Sequence, residues 1–229
     1  MPESTSKLPR NIGILWDLDG VLVDTGESHY QAWAETCARY SIPFSREAFR
    51  QTFGMNNVKI VGTLTGRVVA PELVAEISDY KEQLFRRTIR GRVQLLRGVN
   101  LWLERFQTAG FPQAVASSAP QANIDAIVDE LGIRLCFAAL VSGAEMPGKP
   151  DPAVFLEASR HIGIAPQRCL VIEDSVAGVE AARRGNMKCL AVTTTNSRDL
   201  LKNAHFVLDS LEELSWMTIG RLMGQPRTA

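Results

Sequence analysis

Residues 12–20 read Ile-Gly-Ile-Leu-Trp-Asp-Leu-Asp-Gly, an apolar run that stops at two aspartates placed two positions apart. The run is short and Gly20 follows it closely, which favours a buried β-strand over a helix. Because alternate residues of an extended chain point to the same side, Asp17 and Asp19 face one direction. Open α/β sheets bind their ligands at the carboxyl ends of the strands. The stretch therefore predicts either a carboxylate site or a solvated turn after the first strand of such a sheet.

Strand-like and helical patterns alternate in the second half of the chain. Apolar runs typical of strands recur at 113–117, 139–142, 169–172, 188–192 and 205–208. Helical patterns lie between them at 121–131, 153–162 and 176–184. This alternation predicts an α/β fold with a doubly wound parallel sheet, and the continuous apolar runs fit strands that are buried on both faces.

The segment between the first and second strands, 24–110, is too long for a single crossover connection. Its patterns are helical in three places, 27–40, 46–53 and 71–90. The last of them repeats apolar residues at helical spacing, namely Leu73, Ile77, Tyr80 and Leu84. We therefore expect an inserted α-helical domain at 25–95, and an α/β core domain formed by 10–24 and 96–223.

Composition and charge exclude some classes of function. Lys and Arg together number 25 and so do Asp and Glu, so the formal net charge is zero, whereas nucleic-acid binders usually carry a basic face or tail. The longest apolar run, 135–141, is too short to span a bilayer, and the first residues lack the pattern of a secretion signal. We expect a cytoplasmic monomer with no nucleic-acid or membrane partner, whose four cysteines are reduced.

Three further polar motifs follow strands or lie in turns. Ser117 ends the strand at 113–117, Lys149 lies in the turn Gly-Lys-Pro-Asp-Pro, and Glu173-Asp174 follows the strand at 169–172. Taken singly, each also fits a local role. Ser117 with the neighbouring serine suits a helix cap, the lysine a solvated loop, and the acidic pair the start of a helix.

In this order, and together with Asp-Leu-Asp-Gly-Val-Leu-Val-Asp-Thr at 17–25, the motifs resemble the signatures of the haloacid dehalogenase-like phosphohydrolases. The resemblance covers about residues 10–210. It implies a Rossmann-like core whose strand ends share one phosphoryl-transfer site.

Phosphoryl transfer needs a nucleophile, a proton donor for the leaving oxygen, and compensation of the phosphate charge. Asp17 is the candidate nucleophile, which would form an aspartyl phosphate, and Asp19 is the candidate general acid and base. We expect Ser117, Ser118 and Lys149 to bind the phosphate.

The expected cofactor is Mg²⁺, a hard cation that prefers oxygen ligands. The carboxylates of Asp17, Glu173 and Asp174 suit it. The family resemblance adds the backbone carbonyl of Asp19 to the metal ligands.

The helical insertion resembles the cap of the β-phosphoglucomutase-like branch of this family. The resemblance implies a set of substrate-binding residues on the cap and its linker: Thr25, His29, Trp33, Gly54, Asn57 and Lys81. His29 and Trp33 are four positions apart and share one helical face. Alternative roles are a helix cap for Thr25, core packing for Trp33, and a capped or surface histidine for His29.

The chain departs from that branch at one position. The mutases carry an arginine in a cap loop that grips the second phosphate of a bisphosphate, and the matching residue here is Asn57. An amide does not replace a bidentate guanidinium that is always charged. Lys59 and Arg67 are the nearby candidates for a replacement cation.

These observations favour a Mg²⁺-dependent phosphatase acting on a small phosphorylated metabolite such as a sugar phosphate. The nearest alternative is a phosphosugar mutase, which returns the phosphate to the sugar instead of giving it to water. A hydrolytic dehalogenase fits less well, because it would not need Asp19 or the acidic pair. A non-catalytic metal-binding interaction protein is the alternative from another class.

Overall fold

The computed structural model describes residues 11–53 and 55–224, so residue 10 of the expected core domain and Gly54 lie outside the described residues. Its centre is a parallel sheet of six strands in the order β3-β2-β1-β4-β5-β6. The strands are Gly13–Trp16 (β1), Gln113–Ser117 (β2), Ala139–Ser142 (β3), Cys169–Glu173 (β4), Lys188–Val192 (β5) and Phe206–Leu208 (β6). The order reverses direction at β1, so the predicted doubly wound α/β fold is confirmed.

Helices lie before, between and after these strands. Within the described part of the chain they are Gly26–Arg39 (α1), Arg46–Thr52 (α2), Asn57–Thr65 (α3), Pro71–Thr88 (α4), Val99–Thr108 (α5), Gln121–Glu130 (α6), Ala153–His161 (α7), Val176–Arg184 (α8) and Trp216–Met223 (α9).

Both faces of the sheet are covered. Along β1, Ile14 and Trp16 belong to one buried apolar cluster, and Leu15 between them belongs to the cluster on the opposite face. The same alternation occurs in β4, where Val171 lies on the side of Leu15. Burial on both faces explains why these strands read as continuous apolar runs.

Helices α1–α4, which we call the helical module, lie between β1 and α5. They share a third buried cluster, made of Trp33, Cys37, Ile60, Val61, Val74 and Ile77. Both linkers of the module run side by side, since Leu96 donates its N–H to the carbonyl of Leu22 at 2.9 Å. The division into core and cap domains at residues 24/25 and 95/96 stays a prediction.

Two local predictions within the module are wrong. A cap loop is expected around Asn57, but helix α3 begins at this residue, and the side chain of Asn56 caps it by accepting the N–H of Lys59. In α4 the buried face is rotated by about one position from the predicted stripe, so Val74 is buried while Leu73 is 38% exposed. The rotation turns Lys81 and Glu82 inward, where the ammonium of Lys81 donates a hydrogen bond to the carboxylate of Glu82.

Within the described residues, none of the helices combines the length and apolar character needed to cross a bilayer. All four cysteines are free thiols, and three of them are buried.

Candidate active site

The carboxyl ends of the central strands and the helical module enclose a cavity of about 290 Å³. Asp17 directly follows β1, Ser117 ends β2 and Glu173 ends β4, and the parallel register brings these strand ends to one edge of the sheet. The cavity is lined from the sheet side by Asp17, Asp19, Ser117, Ser118, Lys149 and Asp174, and from the module side by His29, Trp33, Asn57, Lys81 and Glu82.

Three carboxylates converge on the sheet side. Asp17, Glu173 and Asp174 are buried, and one oxygen from each lies within 4.8 Å of the others. The ammonium of Lys149 bridges two of them, at 2.5 Å from Oδ1 of Asp17 and 2.6 Å from Oε1 of Glu173. Three carboxylates therefore face one lysine in a buried position.

Burial and repulsion between the carboxylates shift the pKa values in this group. Burial, opposed by Lys149, raises the pKa of Asp17 to about 7. Burial and the nearby Glu173 and Asp17 raise the pKa of Asp174 to about 9. Burial acts against ionisation of Glu173 and Lys149 as well, but Lys149 lowers the pKa of Glu173, and Asp17 and Glu173 together raise the pKa of Lys149. All three acids offer oxygen ligands, so the donor set fits a hard divalent cation such as Mg²⁺.

Backbone groups hold the acidic group in place. Oε2 of Glu173 accepts the N–H groups of Asp174 and Ser175 at 2.7 and 2.6 Å. A Cβ atom on Gly178 would lie 1.7 Å from Oε1 of Glu173, and one on Gly20 would lie 1.9 Å from Oδ2 of Asp174. Gly20 also has a positive φ of 82°, which an L side chain rarely adopts. Both glycines are therefore required by close approach of a carboxylate.

Ser117 and Ser118 occupy the turn after β2. Oγ of Ser117 accepts the N–H of Ala119 at 3.1 Å, while α6 begins only at Gln121, so Ser117 orders the turn and is not the helix cap. Its hydroxyl proton stays available for a ligand. Ser118 is half-buried and lines the cavity.

Asp19 lies at the junction of the two sides. Its Oδ1 accepts a hydrogen bond from the hydroxyl of Thr25 and lies 3.6 Å from Nε2 of His29. Thr25 is at the N-cap position of α1, but its side chain makes no capping hydrogen bond, because it is used by Asp19. Burial opposes ionisation of Asp19, but the contacts with His29 and Thr25 outweigh it and lower the pKa of this acid.

His29 and Trp33 have internal partners as well as a position on the cavity wall. Nδ1 of His29 lies 2.9 Å from the ammonium of Lys81, and the imidazole stacks on Phe85 with ring centres 3.9 Å apart. Burial and Lys81 lower the pKa of His29, which favours a neutral ring with its proton on Nε2, toward Asp19. Trp33 is 2% exposed and belongs to the apolar cluster of the module, so it packs in the core and lines the cavity at once.

Glu82, which was not singled out from the sequence, is the centre of a hydrogen-bond network on the module side of the cavity. Its Oε1 accepts hydrogen bonds from Lys81 and from the amide of Asn57, both at 2.9 Å. Its Oε2 accepts the amide of Asn123 in α6 at 2.5 Å, and Asn123 in turn accepts from Arg86 at 2.8 Å. These bonds join the module to the sheet domain.

Neither candidate replacement for the mutase arginine reaches this wall. Lys59 and Arg67 are exposed and do not line the cavity. Among the described residues of the lining, the cations are Lys81, Lys149 and, when protonated, His29.

Thr195 and Asn196, which also line the cavity, were missed by sequence reasoning. The amide of Asn196 donates to the backbone carbonyl of Asp174 at 3.0 Å, and Thr195 hydrogen bonds to the side chain of that aspartate. The only sequence signal for them is their position just after β5, at the same edge of the sheet as the other site residues.

Comparison with known proteins identifies the class that this fold and site define. A family model described as haloacid dehalogenase-like hydrolase matches residues 13–186, and the chain belongs to that family. The predictions of the family and of an enzyme are thereby confirmed.

Individual relatives include both kinds of phosphoryl-transfer enzyme. The chain is 28% identical to the validoxylamine A 7'-phosphate phosphatase of Streptomyces hygroscopicus subsp. limoneus over 90% of this chain and 97% of the relative. It is also 28% identical to the β-phosphoglucomutase of Bacillus subtilis, over 78% of this chain and 82% of the relative. Three matching proteins from Arabidopsis thaliana are longer, and the chain spans 57%, 19% and 54% of them.

Solved structures share the fold. The crystal structure of β-phosphoglucomutase from Clostridium difficile superposes with a TM-score of 0.83 at 22% identity, covering 93% of this chain and 97% of that one. At this identity the likeness establishes the architecture alone.

Proposed function

We propose that the protein is a Mg²⁺-dependent phosphatase that hydrolyses a small phosphorylated metabolite, with a sugar phosphate as the first candidate. The observation that supports this best is the convergence of Asp17, Glu173 and Asp174 within 4.8 Å, with Lys149 bridging two of them. Family membership and a phosphatase relative at 28% identity agree with it. We likewise propose the roles of the individual site residues.

In the first step, a carboxylate oxygen of Asp17 attacks the phosphorus and the bond to the leaving alcohol oxygen breaks. Lys149, which holds Oδ1 of Asp17, orients the nucleophile and offsets charge on the transferred group. In its protonated form, Asp19 supplies the proton that the leaving oxygen takes up, and it is then ionised for the second step. The Ser117 hydroxyl donates to a phosphoryl oxygen.

In the second step, water attacks the aspartyl phosphate and inorganic phosphate leaves. Asp19 accepts the proton of that water, a role for which its ionised form is suited, and the contacts with Thr25 and His29 favour that form. The helical module forms the side of the cavity opposite the strand ends, which reduces the space open to other water.

The carboxylates of Asp17, Glu173 and Asp174, with the backbone carbonyl of Asp19, would hold the cation. When bound, Mg²⁺ supplies positive charge that compensates the carboxylates and the phosphoryl oxygens. This charge is what the buried acidic group needs, because Lys149 alone does not balance three carboxylates.

A mutase is the second candidate, since a β-phosphoglucomutase is among the relatives. It uses the same nucleophile and acid but has to anchor a second phosphate. At the position of the mutase arginine, the amide of Asn57 donates to Glu82 instead. This contact favours the phosphatase.

The deciding experiment separates the two products. Purified protein is incubated with Mg²⁺ and β-glucose 1-phosphate, with and without a trace of glucose 1,6-bisphosphate, while free phosphate and glucose 6-phosphate are followed together. We expect phosphate release without isomerisation. Glucose 6-phosphate that forms faster than free phosphate would establish the mutase. If neither product forms, a panel of other phosphomonoesters with p-nitrophenyl phosphate tests the reaction class apart from the sugar, and no hydrolysis across it would contradict the phosphatase.

A further inference from the structure

On the side of the cavity formed by the helical module, the donors that could bind an anion already donate hydrogen bonds to the carboxylate of Glu82. Glu82 is 7% exposed, and it accepts hydrogen bonds from Lys81, Asn57 and Asn123. These three donors come from α4, α3 and α6, so they converge on one point from separate elements. An ammonium and two amides around one point are a donor set that suits a phosphate or a carboxylate. Here the anion belongs to the chain itself.

The positive charge of this wall is compensated internally. Lys81 forms an ion pair with Glu82 at 2.9 Å, and it also contacts Nδ1 of His29 and the rings of Trp33 and Phe85. Lys149, the other lysine of the described cavity lining, is bound to two carboxylates on the sheet side. A second anionic group on a ligand would therefore meet a buried carboxylate and donors that are already in use.

We propose that Glu82 restricts the cavity to phosphomonoesters whose leaving group carries no second anionic charge, because it occupies the donors that such a group would need. This inference rests on the proposed phosphatase function and specifies its substrate class. Like charges repel in a buried site, so a second anionic group near Glu82 is expected to weaken binding.

The rest of the wall fits a neutral leaving group. Phe49, Phe53, Met55 and Val58 line the cavity and offer apolar contacts to the carbon skeleton. A hydroxyl group of the leaving alcohol would donate to Glu82, whose carboxylate has more acceptor positions than its three partners use. The substrate class is thus the phosphate ester of a neutral polyol.

The test compares two ligands that differ only by the second phosphate. Binding of β-glucose 1-phosphate and of glucose 1,6-bisphosphate is measured by calorimetry with Mg²⁺, in an Asp17→Asn background that does not turn them over. We expect the monophosphate to bind at least about tenfold tighter, which corresponds to about 1.4 kcal/mol. In Glu82→Gln, which frees Lys81 from its counter-charge, we expect this ratio to fall to about threefold or less, or to invert.

The control is Glu72→Gln, which removes the same charge from an exposed position of α4. It should leave the ratio unchanged. If Glu82→Gln does not fold, as judged by its thermal transition, Glu82→Met removes the charge with a similar chain length and is measured in the same way.

Three results would overturn the inference: equal binding of both ligands to the parent, no binding of either, or an unchanged ratio in the Glu82 variants. Failure of the proposed function gives a different result. In that case the wild-type protein would release no phosphate from any monoester, while the Glu82-dependent difference in binding would persist.

Discussion

The two ends of the cavity each contain buried charges, but they are balanced differently. The sheet end, Asp17, Lys149, Glu173 and Asp174, places three carboxylates against one ammonium. The module end, Lys81 and Glu82, pairs one ammonium with one carboxylate. The sheet end is therefore electrostatically incomplete without a cation, whereas the module end is complete. We therefore expect charged ligands to bind at the sheet end and not at the module end.

The two ends are also held differently. At the sheet end, backbone N–H groups fix Glu173, and Gly178 leaves space for its carboxylate. At the module end, side-chain amides from α3 and α6 fix Glu82. Backbone contacts therefore attach Glu173 to the sheet itself. The contacts of Glu82 form only when the helical module packs against α6.

The largest effect is expected at the sheet end. Asp17→Asn should lower phosphate release by at least about a thousandfold, because an amide of the same shape is a poor nucleophile. The fold should be retained, since one of three crowded carboxylates is neutralised. Phosphate release and the thermal transition are measured, with Asp199→Asn at an exposed site as the control. Retention of more than a few per cent of the activity would rule out the covalent step.

Asp19→Ala tests the junction between the two ends. With a sugar phosphate we expect a loss of about 10²–10⁴-fold, which is typical for removal of a general acid. The loss should be smaller with p-nitrophenyl phosphate, whose leaving group needs no proton. Steady-state kinetics with both substrates measures the difference. An equal loss on both would argue against the acid role.

Addition of Mg²⁺ should stabilise the protein through the sheet end. At a Mg²⁺ concentration of 100 times Kd, the free energy of unfolding is expected to rise by about 2.7 kcal/mol. Asp174→Asn should reduce this gain, because it replaces one of the three carboxylates with a neutral amide. Thermal denaturation with Mg²⁺ and with EDTA measures it, and Asp199→Asn should behave like the wild type. The same gain in Asp174→Asn would place the cation elsewhere.

Two glycine substitutions compare the packing around Glu173 with the packing in the helical module. Gly178→Ala should lower the free energy of unfolding by about 1–3 kcal/mol and reduce activity, since the added Cβ would lie 1.7 Å from Glu173. The Cβ atom added by Gly62→Ala in α3 would have no neighbour within 4 Å, so this substitution should raise the free energy of unfolding by about 0.5–1 kcal/mol. Denaturant unfolding compares the two. A neutral Gly178→Ala would show that Glu173 has room to move.

The bounds predicted from the sequence are most accurate for elements next to the candidate site. The strand at 113–117 and the helix at 176–184 have the predicted bounds, because apolar runs and turn residues mark them clearly. Helix α3 was missed, since the signal for its start is the capping side chain of Asn56, which reads equally well as a loop residue. The inward turn of Lys81 and Glu82 was not predicted by hydrophobic periodicity, which assigns charged residues to the solvent side.

The sequence by itself determined the α/β class, the family, and the acidic residues at the ends of β1 and β4, while the family resemblance singled out Lys149 in the turn after β3. It could do so because these residues follow strands whose carboxyl ends always meet at one edge of a parallel sheet. Only the tertiary structure decided that Glu82 takes the donors of Asn57 and Asn123, and that Lys81 is neutralised by it. The partners lie 25 and 41 positions away from Glu82, so no local spacing records the contact. The physical reason is that a buried charged side chain is stabilised by hydrogen-bond and ion-pair partners, and the fold can supply these from distant parts of the sequence.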